Sequence, residues 1–302
     1  MIESALISEP LAATQEGPRG GDLESPAQPL LLCARQELVL ALRSRWTQIF
    51  GVTFAALSLA VASSGYILSG GTGFQDYSRT TASLVQLVLL VVPLAAVVMG
   101  SLALSPERGA SELLYSQPVA RPTLLLGQLL GLFVALAAAQ LLGFGAAGVV
   151  IFTRAGDEGL GSFLLLVGGS WLLTALFLGV AAALAAGTTE SSRTRVLALA
   201  LVIWFLSVIV YDLAALGLAS MLRSGVASRL LIVAVLVNPV DAVRTAVMLG
   251  SEGTTAFGAA SLAFLRFTHG SLGAGLWLAG SLAFWLAAPI GVALMRIRRC
   301  DL

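Results

Sequence analysis

Few residues in this sequence could do chemistry, and their spacing narrows the choice. His269 is the only histidine and stands in a polar stretch ahead of the last apolar run. Neither a His-Glu-x-x-His zinc site nor an intramembrane Ser-His pair can be assembled around it. Cys33 and Cys300 lie at opposite ends of the chain, which removes Cys-x-x-Cys redox chemistry, a cysteine zinc site and a disulfide framework. Met99, Met221, Met248 and Met295 are scattered singly, whereas a copper carrier groups its soft ligands. No metal and no cofactor is therefore expected. All 17 basic residues are arginine, and a phosphate-binding loop of the P-loop kind needs a lysine. The chain is expected to be non-catalytic, with any ATP hydrolysis in a partner. Gly143-Phe-Gly-Ala-Ala-Gly148 matches a dinucleotide fingerprint only formally, because no strand precedes it.

Three groups of polar residues remain. The first is the loop Ser105-Pro-Glu-Arg-Gly-Ala-Ser-Glu-Leu-Leu-Tyr-Ser-Gln-Pro118. Pro106 suits the first turn of a short helix and Pro118 ends it. Glu107, Arg108, Glu112 and Tyr115 then project from a rigid charged lever of a kind that seats in a groove of a soluble motor. A solvated turn between spans is the plainer alternative. The second group is Gln86, Gln140 and Asp212, placed in otherwise apolar runs. Asp212 follows Arg195 by 17 positions, about 25 Å along a helix, near the outer edge of a roughly 30 Å hydrocarbon core. Gln86 and Gln140 also fall toward the outer leaflet. Together they form either a polar vestibule for cargo or helix-pair hydrogen bonds. The third group follows the apolar stretch 230–237, which is too short to span. Asn238-Pro239 can turn the chain there, and Asp241 can cap a helix running to Met248. This reads as a short outer re-entrant hairpin closing the exit of a path, with a solvated loop and surface helix as the alternative.

The elements that must position these residues are membrane spans. The chain is 58% hydrophobic and 11% charged, too few charges to cover a soluble surface of this length. A net charge of +1 gives no basic footprint for nucleic acid. Six apolar runs, near 47–68, 82–104, 123–152, 161–187, 196–220 and 273–295, meet the spanning length of about 20 residues. Residues 1–30, rich in proline, glycine and acids, read as a disordered cytoplasmic tail. Residues 31–46 place Leu31, Leu38, Leu42 and Trp46 on one face, with Arg43 and Arg45 free to reach phosphates. They read as an interfacial helix lying on membrane lipid, or else as the leading turn of the first span. Residues 47–302 form the six-helix permease-like body. Gly127 and Gly131, then Gly143, Gly145, Ala147 and Gly148, offer smooth faces for close helix pairing. Pro93 is expected to kink the second span. Ten of the twelve arginines in short flanks lie on one side, Arg35, Arg43, Arg45, Arg108 and Arg121 among them. That bias places both termini in the cytoplasm. The fold class is all-α: a polytopic membrane protein with six transmembrane helices, an interfacial helix, a cytoplasmic coupling helix and an outer hairpin.

The pattern Glu107-x-Gly109-x-x-x-Leu113-Leu114-x-x-x-Pro118-x-x-Arg121-x-x-Leu124-Leu125-x-Gly127 resembles the cytoplasmic loop of ABC exporter permeases. It is most similar to the NosY-like permeases of the transporter that helps mature nitrous oxide reductase. Ala34-Arg35-x-Glu37 through Leu42-Arg43-x-Arg45-Trp46, Trp204-Phe205 with Asp212, and Asn238-Pro239-x-Asp241 followed by Arg244 agree in order. The likeness covers roughly residues 32–300. It implies a homodimer of six-span subunits in the inner membrane. Each subunit is expected to dock on one cytoplasmic ABC ATPase subunit through Glu107, Arg108, Glu112, Leu113, Tyr115 and Arg121. A periplasmic accessory protein is left open as a further partner. A secondary transporter or a scaffold without ATP coupling is the alternative, although the internal repeats of the former are not visible.

Overall fold

The computed structural model describes residues 27–67, 74–105, 119–155, 159–186, 193–252, 264–265 and 267–299. All regular structure among them is helical, as the long apolar runs require where backbone groups must satisfy one another internally. Helix α1 is Ala27–Arg43, α2 Arg45–Ile67, α3 Phe74–Ala103, α4 Arg121–Ala155 and α5 Leu160–Ala185. Helix α6, Arg193–Phe205, continues through a widened π-helical turn at Leu206–Val210 into α7, Tyr211–Ser220. Then come α8, Ser224–Val237, α9, Pro239–Glu252, and α10, Ser271–Arg299. Six helical stretches are long and apolar enough to cross a membrane: α2, α3, α4, α5, the α6–α7 stretch and α10. The chain is thus a polytopic all-α membrane protein. Helix α4, with 35 residues, is about 52 Å long and outreaches a hydrocarbon core of about 30 Å.

Glycines set the packing. A Cβ on Gly127 would lie 2.6 Å from the Cys33 Cβ, and one on Gly131 would meet the Ala34 carbonyl. Helix α1 therefore seats its small face, Ala34 and Ala41, on α4 and follows it in the same direction. The large side chains Leu31, Leu32, Leu40 and Leu42 point away from the protein. The expected segment 31–46 is corrected here: the helix breaks at Ser44, and Arg45 and Trp46 open α2. Leu31, Leu38 and Leu42 keep one face of α1, Leu31 and Leu42 exposed and Leu38 partly buried against the core, while Trp46, beyond the break, belongs to α2. Arg35, Arg43 and Arg45 are exposed.

Further along α4, Gly143 admits the ring of Phe54 from α2. Phe54, Phe144, Phe163 and Phe152 form a chain of edge-to-face contacts at 5.3, 5.9 and 5.4 Å, tying α2, α4 and α5. Gly145 meets nothing and Gly148 lies against Phe163 of α5, so the glycines of α4 serve three neighbours, α1, α2 and α5, rather than one smooth face. Helix α3 runs on through Pro93, and the Trp204 indole N–H donates to the nearby Leu90 carbonyl at 3.2 Å. Helix α5 packs against α3, α4, α9 and α10. Where α5 and α10 end together, Arg296 donates to the Ala183 carbonyl at 2.8 Å, a cation on the negative end of the helix dipole.

Candidate functional site

Asp212 of the second group meets the third group of polar residues in the structure. Helices α8 and α9 join at Asn238 with a bend of 102°. Pro239 suits this position because the first helical residue needs no N–H partner. The Asn238 Oδ1 accepts from the Val240 N–H at 3.1 Å, so Asn238 caps α9 and Asp241 does not. The reason is register: a cap must stand just before the first turn, and Asp241 already lies within it. The Asn238 Nδ2 donates at 2.8 Å to the Ser207 carbonyl and at 3.0 Å to Asp241 Oδ2. Ser207 belongs to the π-helical turn, where the Tyr211 N–H reaches back five residues to the Leu206 carbonyl. The widened turn thereby presents a carbonyl to a neighbouring element.

Asp241 is set free for another task. Arg244 Nη1 lies 3.1 Å from Asp241 Oδ1, and Arg244 Nη2 donates to Asp212 Oδ2 at 2.8 Å. One guanidinium therefore bridges two carboxylates, one on its own helix and one on α7. The Arg244 Nε is shielded and has no hydrogen-bond partner among the described residues. Charges in such a place persist only when paired, since each alone costs several kcal/mol to desolvate. Tyr211 donates its hydroxyl to the Ala234 carbonyl at 3.0 Å. Ser281 and Trp285 of α10 donate to the Leu236 and Val237 carbonyls at 2.6 and 2.9 Å. The orphaned Leu236 and Val237 carbonyls at the end of α8 are thus satisfied from α10, while the Ala234 carbonyl takes the Tyr211 hydroxyl beside the Asn238 N–H.

Depth follows from counting along the helices. Trp285 is the middle residue of α10, and Ser207 lies at the middle of the α6–α7 stretch. The break at Asn238 touches both. Helix α8 starts beside the end of α7, and α9 returns along α5, with Gly169 facing Val247, Gly250 facing Leu165 and the Ser162 hydroxyl reaching the Ser251 carbonyl. Both ends of the pair therefore lie on the side opposite Arg121 and Arg296. Asp212 stands five residues beyond Ser207, only about 8 Å from the middle of its span by helical rise. That count leaves it about 7 Å inside the edge of a core of about 30 Å, close to the position counted from Arg195.

Gln140 does not join this cluster. It is buried between α4 and α5, donating to Thr174 Oγ1 at 2.7 Å and accepting from Ser170 Oγ at 3.0 Å. Gln86 is exposed on α3. The structure therefore gives Gln140 the helix-pair role and does not bring the two glutamines into a common vestibule. Glu37 of α1 lies against Gly131, and burial raises its carboxyl above the ordinary range. Arg121 opens α4. Glu107, Arg108, Glu112, Leu113 and Tyr115 fall outside the described residues. The residues that sequence reasoning missed are Ser207 and Tyr211. Neither a π-helical turn nor its spare carbonyl has a signature in residue types.

Comparison with known proteins adds the family. Residues 31–302 match the model described as ABC-2 family transporter protein. The chain is 35% identical over 272 residues to the probable ABC transporter permease protein NosY of Pseudomonas aeruginosa, covering 88% of this chain and 96% of that protein. It is also 35% identical over 236 residues to the protein of the same description in Stutzerimonas stutzeri, covering 76% and 85%.

Proposed function

The chain belongs to the ABC-2 transporter family, and on that premise we propose that it is the permease subunit of an ABC exporter driven by a separate cytoplasmic ATPase. The observation that carries this reading is that the family match takes in the whole six-span body, from α1 to the end of α10. The ATPase docks on the loop 105–118, with Glu107, Arg108, Glu112, Leu113 and Tyr115 as contacts and Arg121 at its base. Two copies form the path, both termini face the cytoplasm of a cell with this subunit in its inner membrane, and α1 lies at the lipid interface. The likeness to NosY permeases extends the proposal to export serving the maturation of a periplasmic copper enzyme of the nitrous oxide reductase kind.

Within this reading the α8–α9 pair is a re-entrant hairpin that closes the outer exit. Its turn is fixed at the middle of the bilayer by Asn238 and its flank is latched by Arg244 to Asp212. Non-helical backbone at that depth must be buried in protein, and the bonds from Ser281, Trp285 and Asn238 supply that support. Opening requires α7 and α9 to part at the Arg244 to Asp212 contact. The test of the whole reading is copurification of the chain with an ABC ATPase from its own cells. The native chain retains that ATPase, and the double variant Glu107→Arg with Glu112→Arg loses substrate-stimulated hydrolysis while still inserting, since reversing charge against a complementary groove costs several kcal/mol. A chain that binds no ATPase, or a double variant with unchanged stimulation, overturns the assignment.

A further inference from the structure

Between α7 and α8 runs an open groove of about 460 Å3, lined by Tyr211, Ala214, Ala215 and Leu218 on one wall and by Val226, Arg229 and Val233 on the other. The wall residues recur every three to four positions, so each helix turns one continuous stripe into the groove. Two alanines make it deep, and the Tyr211 bond to the Ala234 carbonyl closes its inner end. Arg229 lines the apolar channel, is exposed, and makes no ion pair or hydrogen bond with the described residues. Its position is informative. It precedes Val237, at the middle of the span, by eight residues, or about 12 Å. A hydrocarbon half-layer is about 15 Å thick, so the long side chain can raise its guanidinium to the phosphate layer while its stem stays in the groove.

We propose that this groove is a binding site for one bilayer phospholipid, its phosphate held by Arg229 and an acyl chain laid against Ala214, Ala215 and Val233. Charge complementarity selects this occupant over a second copy of the chain. The carboxylates with described side chains are Glu37, Asp212 and Asp241, and none is exposed, so among the described residues a second copy offers Arg229 no carboxylate at its surface. A phosphate does, with a charge-assisted contact in a poorly solvated place. The lipid wedges against the wall that carries Asp212's neighbour Tyr211, so it braces the closed hairpin. The inference rests on the hairpin entering the bilayer.

The experiment is native mass spectrometry of the complete purified transporter after delipidation and titration with phosphatidylglycerol. The native protein holds one tightly retained lipid per chain. Arg229→Gln weakens that retention about tenfold, as loss of one charge-assisted contact predicts, Arg229→Lys keeps most of it, and Ala215→Trp fills the channel and abolishes it. Unchanged retention in Arg229→Gln and Ala215→Trp overturns the site. Spontaneous disulfide linkage of Ala215→Cys between two copies also overturns it, since a second chain would then cover the groove. Labelling of Val233→Cys by a charged maleimide separates the two failures. Slow labelling with unchanged lipid retention sinks the lipid site alone, and fast labelling sinks the hairpin beneath it.

Discussion

Arg244 serves two carboxylates, and the imbalance dictates how the three residues respond to substitution. Arg244→Gln leaves Asp212 and Asp241 facing each other with no cation, whereas Asp212→Asn leaves one arginine with one carboxylate. We expect Arg244→Gln to cost about 2 kcal/mol, below the 3–5 typical of fully buried pairs because Arg244 and Asp212 are about a quarter exposed. Asp212→Asn should cost less, and adding it to Arg244→Gln should recover part of the loss. Thermal unfolding of the four proteins in detergent reads this, and a double variant no better than Arg244→Gln would show that repulsion is not the cause. Gln140 makes a different case. In Gln140→Leu, Ser170 and Thr174 keep their own backbone acceptors at Val167 and Ser170, so the loss should be about 1 kcal/mol. Export by that variant should stay near native. A strong export defect at unchanged stability would give Gln140 back to a cargo path. Legibility at this scale was uneven. Asp212, Asn238, Asp241 and Arg244 could be named from residue type alone, as polar groups in apolar runs. The local contacts of Asp241 with Asn238 and Arg244 follow from a spacing of three, but the approach of Asp212 could not be read, because it stands 32 positions from Arg244, and the Ser207 carbonyl that anchors Asn238 is a property of backbone geometry.

The glycines of α4 decide where other helices sit. At Gly131 a Cβ would press on the Ala34 carbonyl and come within 2.9 Å of the Leu38 nitrogen. Backbone cannot yield as a side-chain tip can, so Gly131→Val should displace α1 at a cost of about 1–3 kcal/mol. Gly145→Ala, with nothing near it, should be silent. Protease accessibility of α1 in the two variants measures the contrast, and equal accessibility would detach α1 from α4. The same contact holds Glu37, whose pKa is raised by burial. A carboxyl whose folded pKa exceeds its unfolded value is favoured protonated in the folded state. It imposes no penalty below the unfolded pKa and a full one above the folded pKa. Stability of the native protein relative to Glu37→Gln should therefore fall as pH rises from the ordinary glutamate range toward neutrality. A midpoint difference that does not change with pH would place Glu37 in water. At this scale hydrophobic runs fixed the six spans to within a few residues, because length and apolarity are set by the bilayer. The break at Ser44 and the π-helical turn were not legible, since each depends on which neighbour supplies a bond or a gap.

Taken as a whole, the molecule is asymmetric across its thickness, with arginines at the starts of α2, α4 and α6 and the end of α10 and the α8–α9 pair opening toward the opposite side. In the proposed orientation, which follows the arginine bias, the first side is cytoplasmic and the α8–α9 pair opens outward. Cys33 is a poor reporter of this, being half-buried against Gly127. Exposed positions at the two ends serve better. In intact cells a membrane-impermeant maleimide should modify Leu222→Cys and Ser224→Cys, and should reach Arg45→Cys and Arg195→Cys only after the cells are broken open. Val233→Cys, exposed on α8 but four residues from the turn, should react slowly from either side, because a thiol facing lipid is seldom ionised and the charged reagent does not partition there. The three rates test separate statements. Reversed labelling of the end positions would invert the protein in the membrane while leaving the hairpin intact. Fast labelling of Val233→Cys in otherwise expected order would keep the orientation and remove the hairpin from the bilayer, and with it the physical reason for pairing Arg244 with two carboxylates at that depth.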